Sequence, residues 1–233
     1  MKKLTLLALI LIFSQPVFAE IVEVYRWKPY PGKANQLLSD MQEAATIHAA
    51  MGISVTINPL DIGSTQNVDY VMRFDDLDSW GRLRDANVAS AEWNSFYTRI
   101  ADDPSGELVQ SINATNTDPS VMAGDFESGS VFSVFLWDPA PGRSLELAQG
   151  FDTAKSIHEG LGARVETYIE GFGGTDMMYY VMIFDSWSDM ANFQESLNSS
   201  EEWLAFQVGL LTDTEPAATL VQTFAGSTLA AFD

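Results

Sequence analysis

Short runs of β-branched and aromatic residues alternate along the chain with longer stretches in which apolar residues return every three or four positions, an order that predicts strands and helices in turn. Val22-Glu23-Val24-Tyr25-Arg26-Trp27 reads as a strand, ended by Pro29 and Pro31-Gly32. From Lys33 to Met51 the apolar or small positions Leu37, Met41, Ala44, His48 and Met51 form one helical stripe, and Gly52 stops it. Ile53 to Ile57 and Val68 to Phe74 predict two further strands, joined by a turn-rich stretch holding Pro59, Gly63 and Asn67. Asp75-Asp76-Leu77-Asp78-Ser79 offers N-caps for a second helix running through Trp80, Leu83, Val88, Trp93 and Phe96, and Leu108 to Ile112 predicts a last strand. The order is βαββαβ, the split βαβ or ferredoxin-like arrangement.

The chain spells this pattern twice. When residue i is set against residue i+110, 21 of the 70 positions from Trp27 to Phe96 are identical, where ordinary residue frequencies give about four. The identities form phrases: Trp27, Pro29, Pro31 and Gly32 against Trp137, Pro139, Pro141 and Gly142; Ile47, His48 and Gly52 against Ile157, His158 and Gly162; Tyr70-Val71-Met72 against Tyr180-Val181-Met182. After a two-residue shift, Leu108-Val109-Gln110 faces Leu220-Val221-Gln222. A period this long suits a small domain rather than a solenoid repeat. The expected organisation is a first repeat over 20–116, a linker over 117–129 containing Asp118-Pro119-Ser120, and a second repeat over 130–233.

A single unit of this kind covers one sheet face with helices and leaves the other bare. Yet the third strand is apolar on both faces, with Tyr70, Met72 and Phe74 on one and Val71 on the other, and in the second copy Tyr180, Met182 and Phe184 stand against Val181 and Ile183. A bare apolar face needs a partner. The expected fold is therefore α+β: two ferredoxin-like βαββαβ repeats packed sheet to sheet as an intrachain α+β barrel, a pseudo-dimer within one chain.

Three phrases make the chain resemble the dimeric α+β barrel superfamily, which includes antibiotic-biosynthesis-type monooxygenases and NIPSNAP-like proteins. They are Pro31-Gly32-Lys33 after the first strand (Pro141-Gly142-Arg143), Asp75 after the third (Asp185), and Ser-x-Glu-Trp-x-x-Phe at Ser90 to Phe96 (Ser200 to Phe206). The resemblance covers nearly all of both repeats. It implies the barrel fold, and it spans haem-degrading enzymes, cofactor-free oxygenases, isomerases and stress proteins, so fold alone does not select an activity.

The N-terminus changes the picture of location. Met1-Lys2-Lys3, an apolar run from Leu4 to Phe13 and Val17-Phe18-Ala19 before Glu20 predict a secretory signal peptide over residues 1–19, and with it a periplasmic or secreted protein. Its removal takes Lys2 and Lys3 away, moving the net charge from −20 to −22. A surface this acidic repels phosphate backbones and anionic headgroups, so no nucleic-acid partner is expected, and no membrane partner after cleavage. With no cysteine, disulfides and thiolate chemistry are excluded.

Candidate chemistry is sparse. The only histidines, His48 and His158, occupy equivalent places on the apolar stripe of the first helix of each repeat. As catalytic candidates they would act as general bases or haem ligands in a pocket between helix and sheet; as core residues they would serve packing alone. Trp27, Tyr70 and Trp93, with Trp137, Tyr180 and Trp203, would line that pocket and bind an aromatic ligand, or else belong to the sheet core. No zincin, nucleophile-elbow, P-loop or haem-attachment motif occurs, and no metal site or cofactor is expected. The sequence thus predicts a barrel that binds a small apolar or aromatic ligand, the alternative being a cofactor-free or haem-dependent monooxygenase-like enzyme that uses the paired histidines.

Overall fold

The computed structural model describes residues 19–64, 66–211 and 215–233. The signal peptide read over residues 1–19 lies outside them except for Ala19. The first repeat forms β1 (Ile21–Pro29), α1 (Ala34–Ala50), β2 (Ser54–Ile62), β3 (Val68–Phe74), α2 (Leu77–Ala89), α3 (Ala91–Asp102) and β4 (Gly106–Asn116). The same order returns in β5 (Val131–Pro139), α4 (Ser144–Gly160), β6 (Arg164–Glu170), β7 (Met178–Phe184), α5 (Trp187–Ser199), α6 (Glu201–Leu211) and β8 (Ala218–Ser227), followed by a short β9 (Ala230–Phe232).

One expectation needs correction. The second helix of each repeat is two helices, broken at Ser90 and at Ser200. Ser90 leaves the helical region at φ −70° and ψ 120°, and its hydroxyl accepts from the Trp93 backbone N–H, starting a new helix. Ser200 does the same for Trp203. An N-cap serine inside an otherwise helical pattern thus redirects the chain and turns the tryptophan of the Glu-Trp phrase inward. The expected cap after the third strand is Asp76, which closes a capping box with Ser79.

All strand neighbours are antiparallel. Within each repeat they follow the ferredoxin order β4-β1-β3-β2 and β8-β5-β7-β6, and the seams β4–β6 and β8–β2 join the two sheets. Because β2 also pairs β3, the eight long strands close into a ring, with β9 added on β2. Closure removes the sheet edges that an isolated unit would expose. Helices cover the outside, and alternation along each strand sorts the side chains. Ile21, Tyr70, Met72 and Phe74 pack under α1 with Leu37, Met41 and Ala44, and Val131, Met182 and Phe184 form the corresponding core under α4. Val22, Val71, Ala114 and Tyr168 turn the other way, into the barrel. The segment over 117–129 crosses one end, with Val121 and Ala123 buried.

Candidate functional site

Two places bring chemistry-bearing side chains together, one outside the sheet wall and one inside it. Outside, the last turn of α1 delivers His48 onto β3, where Nδ1 lies 2.7 Å from the Tyr70 hydroxyl, while α3 lays Trp93 over the imidazole at 4.5 Å between ring centroids. The second repeat reproduces this: His158 Nδ1 lies 2.8 Å from the Tyr180 hydroxyl, and Trp203 stands at 4.6 Å. The sequence-predicted His48, Tyr70 and Trp93 are thus neighbours, as are His158, Tyr180 and Trp203. Trp27 and Trp137 border the same two cores, Trp137 edge-on to Phe151.

Both imidazoles are deeply buried, at 2% exposure for His48 and 5% for His158. Their Nε2 atoms are covered by protein; that of His158 has no hydrogen-bond partner among the described residues, and His48 has the Asn87 side chain beside it. Beside His158 the Phe193 ring stands perpendicular, with 5.5 Å between centroids. A haem does not fit at either residue, because an iron would have to reach a nitrogen already enclosed by side chains. Burial pulls His48 down to about 4, with Asn87 opposing and the Arg84 charge adding, and burial pulls His158 down to about 4 as well. The direction sets a pH dependence. Below the ordinary value of 6.5 the unfolded chain takes up protons that the folded rings refuse until about 4. The stability from keeping them neutral is complete above 6.5 and is lost as pH falls toward 4. The unfolding free energy measured in urea should therefore fall across that window, by about 1–3 kcal/mol for His48, and the fall should flatten in a His48→Gln, His158→Gln double variant.

Inside the barrel is a cavity of about 120 Å³. Its walls come from the inward positions of both sheets: Val22, Val24 and Val71 from one, Phe132, Val134 and Val181 from the other. Two arginines enter it. Register places Arg26 opposite Asp69, and the guanidinium Nε and Nη2 donate to the two carboxylate oxygens at 2.7 Å each. The Arg26 guanidinium also lies 4.6 Å over the Phe224 ring. Arg73 Nη1 donates to Glu20 Oε1 at 2.7 Å and to the Tyr168 hydroxyl at 3.2 Å. The other Glu20 oxygen accepts from Tyr168 and Asn116. Phe126, carried by the 117–129 segment, meets the Arg73 guanidinium face on at 3.3 Å, with Arg164 at 4.7 Å. None of His48, His158, Trp27, Tyr70, Trp93, Trp137, Tyr180 and Trp203 lines this cavity. The signal that could have found it was alternation itself, Val22-x-Val24-x-Arg26 and Asp69-x-Val71-x-Arg73, which puts charges and valines on one inward face.

A shallower outer cleft of about 330 Å³ lies beside α2. There Glu23 accepts from Tyr25, Trp80 and Arg84, under an exposed Phe172 from the β6–β7 turn. Burial, and then Glu23, push the Tyr25 phenol up to about 12. The second repeat has Ser133, Phe135, Met190 and Gln194 at the equivalent positions, so this cluster belongs to the first repeat alone.

No family model matches the chain, and no curated protein matches it. Solved structures do resemble it in fold. Two proteins named "putative monooxygenase" superpose well. The one from Fusobacterium nucleatum subsp. nucleatum gives a TM-score of 0.62 at 11% identity, covering 92% of this chain and 94% of that one. The one from Lactobacillus acidophilus gives 0.60 at 6% identity, covering 91% and 98%. An anthrone oxidase-like protein gives 0.58 at 11% identity, covering 92% of both chains. Among the described residues, no helix is long and apolar enough to cross a membrane, and no cluster of potential metal ligands occurs.

Proposed function

We propose that this is an exported barrel protein that binds a small apolar or aromatic ligand inside the barrel, between the two sheets. The observation that supports it is the cavity of about 120 Å³, walled by valines and phenylalanines and furnished with a few fixed polar groups. An apolar cavity of about 150 Å³ stays dry and takes up benzene, so a space of this order suits a single ring. Calorimetric titration should give benzene a dissociation constant of about 1 mM or tighter, within the ceiling for six heavy atoms. Val181→Phe, which fills the cavity from its wall, should weaken binding at least about tenfold by overpacking the site. Equal affinity in the two proteins, or none in either, would overturn the reading.

A monooxygenase-like enzyme at the histidines is the second reading. The repeated His–Tyr hydrogen bond and the similar proteins described above favour it. Oxygen uptake on adding a ring compound, lost in the His48→Gln, His158→Gln variant and unchanged in Val181→Phe, would select it over binding inside the barrel.

A further inference from the structure

We infer that the segment over 117–129 is the lid of the barrel cavity and Phe126 its plug, so that a ligand enters and leaves at this end. The inference rests on the cavity being a ligand site. Phe126 walls the cavity together with Arg73, Tyr168 and Ser130. Its ring is held by two guanidiniums, Arg73 face on at 3.3 Å and Arg164 at 4.7 Å. At the opposite end the wall is built into strands: Arg26 on β1 donates twice to Asp69 on β3 and lies over Phe224 on β8.

The segment is pinned at both ends and latched between them. The Thr117 N–H donates to the Thr167 carbonyl, and the Gly129 N–H to the Thr228 carbonyl. From 118 to 128, among the described residues, its backbone bonds to no backbone outside itself, and side chains hold it instead. Asp75 accepts from the Ala123 N–H at 3.2 Å, and Lys155 Nζ donates to Asp118 at 2.8 Å. Arg164 Nη1 donates to the Asp125 carbonyl at 2.6 Å, and the Ser128 hydroxyl accepts from the Ala231 N–H at 3.0 Å. A stretch held by a few side-chain bonds opens at a lower free energy than strands in a ladder, which is the property a lid needs. Asp75, prominent in the sequence, thereby gains a role: the cap of α2 is Asp76, and Asp75 is a latch.

An Asp75→Ala, Lys155→Met double variant removes two latches, and neither residue lines the cavity. Opening becomes more frequent while the closed lid still dominates, so binding and release accelerate by the same factor. Saturation-transfer fluorine NMR with fluorobenzene, a single ring with an observable nucleus, should show exchange about tenfold faster in the variant than in wild type. Exchange at the wild-type rate places the route past Arg26 at the far end, which overturns the inference and leaves the ligand site standing. Absence of fluorobenzene binding in wild type overturns both. Should the variant fail to fold, hydrogen exchange in wild type decides. The Ala123 amide, latched to Asp75, should exchange well before the Gly129 amide at the pin. Equal protection at the two amides would show that this end opens only with the barrel itself and would refute the lid.

Discussion

Arg73→Met should lower the thermal midpoint by about 10 °C or more. The substitution leaves the carboxylate of Glu20, at 0% exposure, without its cation, and breaking a buried pair from one side costs about 3–5 kcal/mol. The Tyr168 and Asn116 donors remain but bring no charge. Adding Glu20→Gln should recover much of the loss, because the second substitution removes the stranded charge. Differential scanning calorimetry of the single and double variants measures this. A double variant no more stable than Arg73→Met would show that the pair is not what holds this end of the barrel.

Gly226→Ala should open one seam and spare the other. A Cβ at Gly226 would stand 2.3 Å from the Pro59 carbonyl oxygen and 2.9 Å from Phe132 Cζ, with backbone rather than a flexible side chain as the first obstacle. Gly226 lies opposite Leu60 where β8 meets β2, so relief requires the strands to part. Its counterpart in the first repeat is Ala114, opposite Glu170, where a methyl group is accommodated with 3% exposure. Overpacking of this kind costs about 1–3 kcal/mol or more. Hydrogen exchange should show lost protection at the amides bonded across the β8–β2 seam, with the β4–β6 amides unchanged. Uniform loss across both seams, or none, would contradict independent closure at two seams.

Much of the architecture was legible because it rests on local patterns repeated in the chain. Tyr70, Met72 and Phe74 against Val71 announced a strand buried on both faces, and the stripe through Leu37, Met41, Ala44 and His48 announced the helix above it. Ser90 was harder. Its cap geometry lies within a continuous helical pattern, and nothing nearby in sequence distinguishes a capping serine from a solvent-facing one until the chain turns. Alternation marked the inward face, but the pairing of the cavity's polar groups was not legible, because they come together only through register. Arg26 and Asp69 are 43 positions apart, and Tyr168 and Glu20 are 148 apart. Read alone, an arginine in a strand suggests a wet face. The aromatic candidates pointed instead to the helix side of the sheet, where Tyr70 and Tyr180 hold the histidines.

The central claim is that the ligand space lies inside the barrel and not under the helices. A crystal of the protein pressurised with xenon locates apolar space directly. A xenon atom should appear in the barrel interior, in contact with Val24, Val71 and Val134. Xenon bound beside His48 or His158 between helix and sheet, with the barrel interior empty, would contradict it.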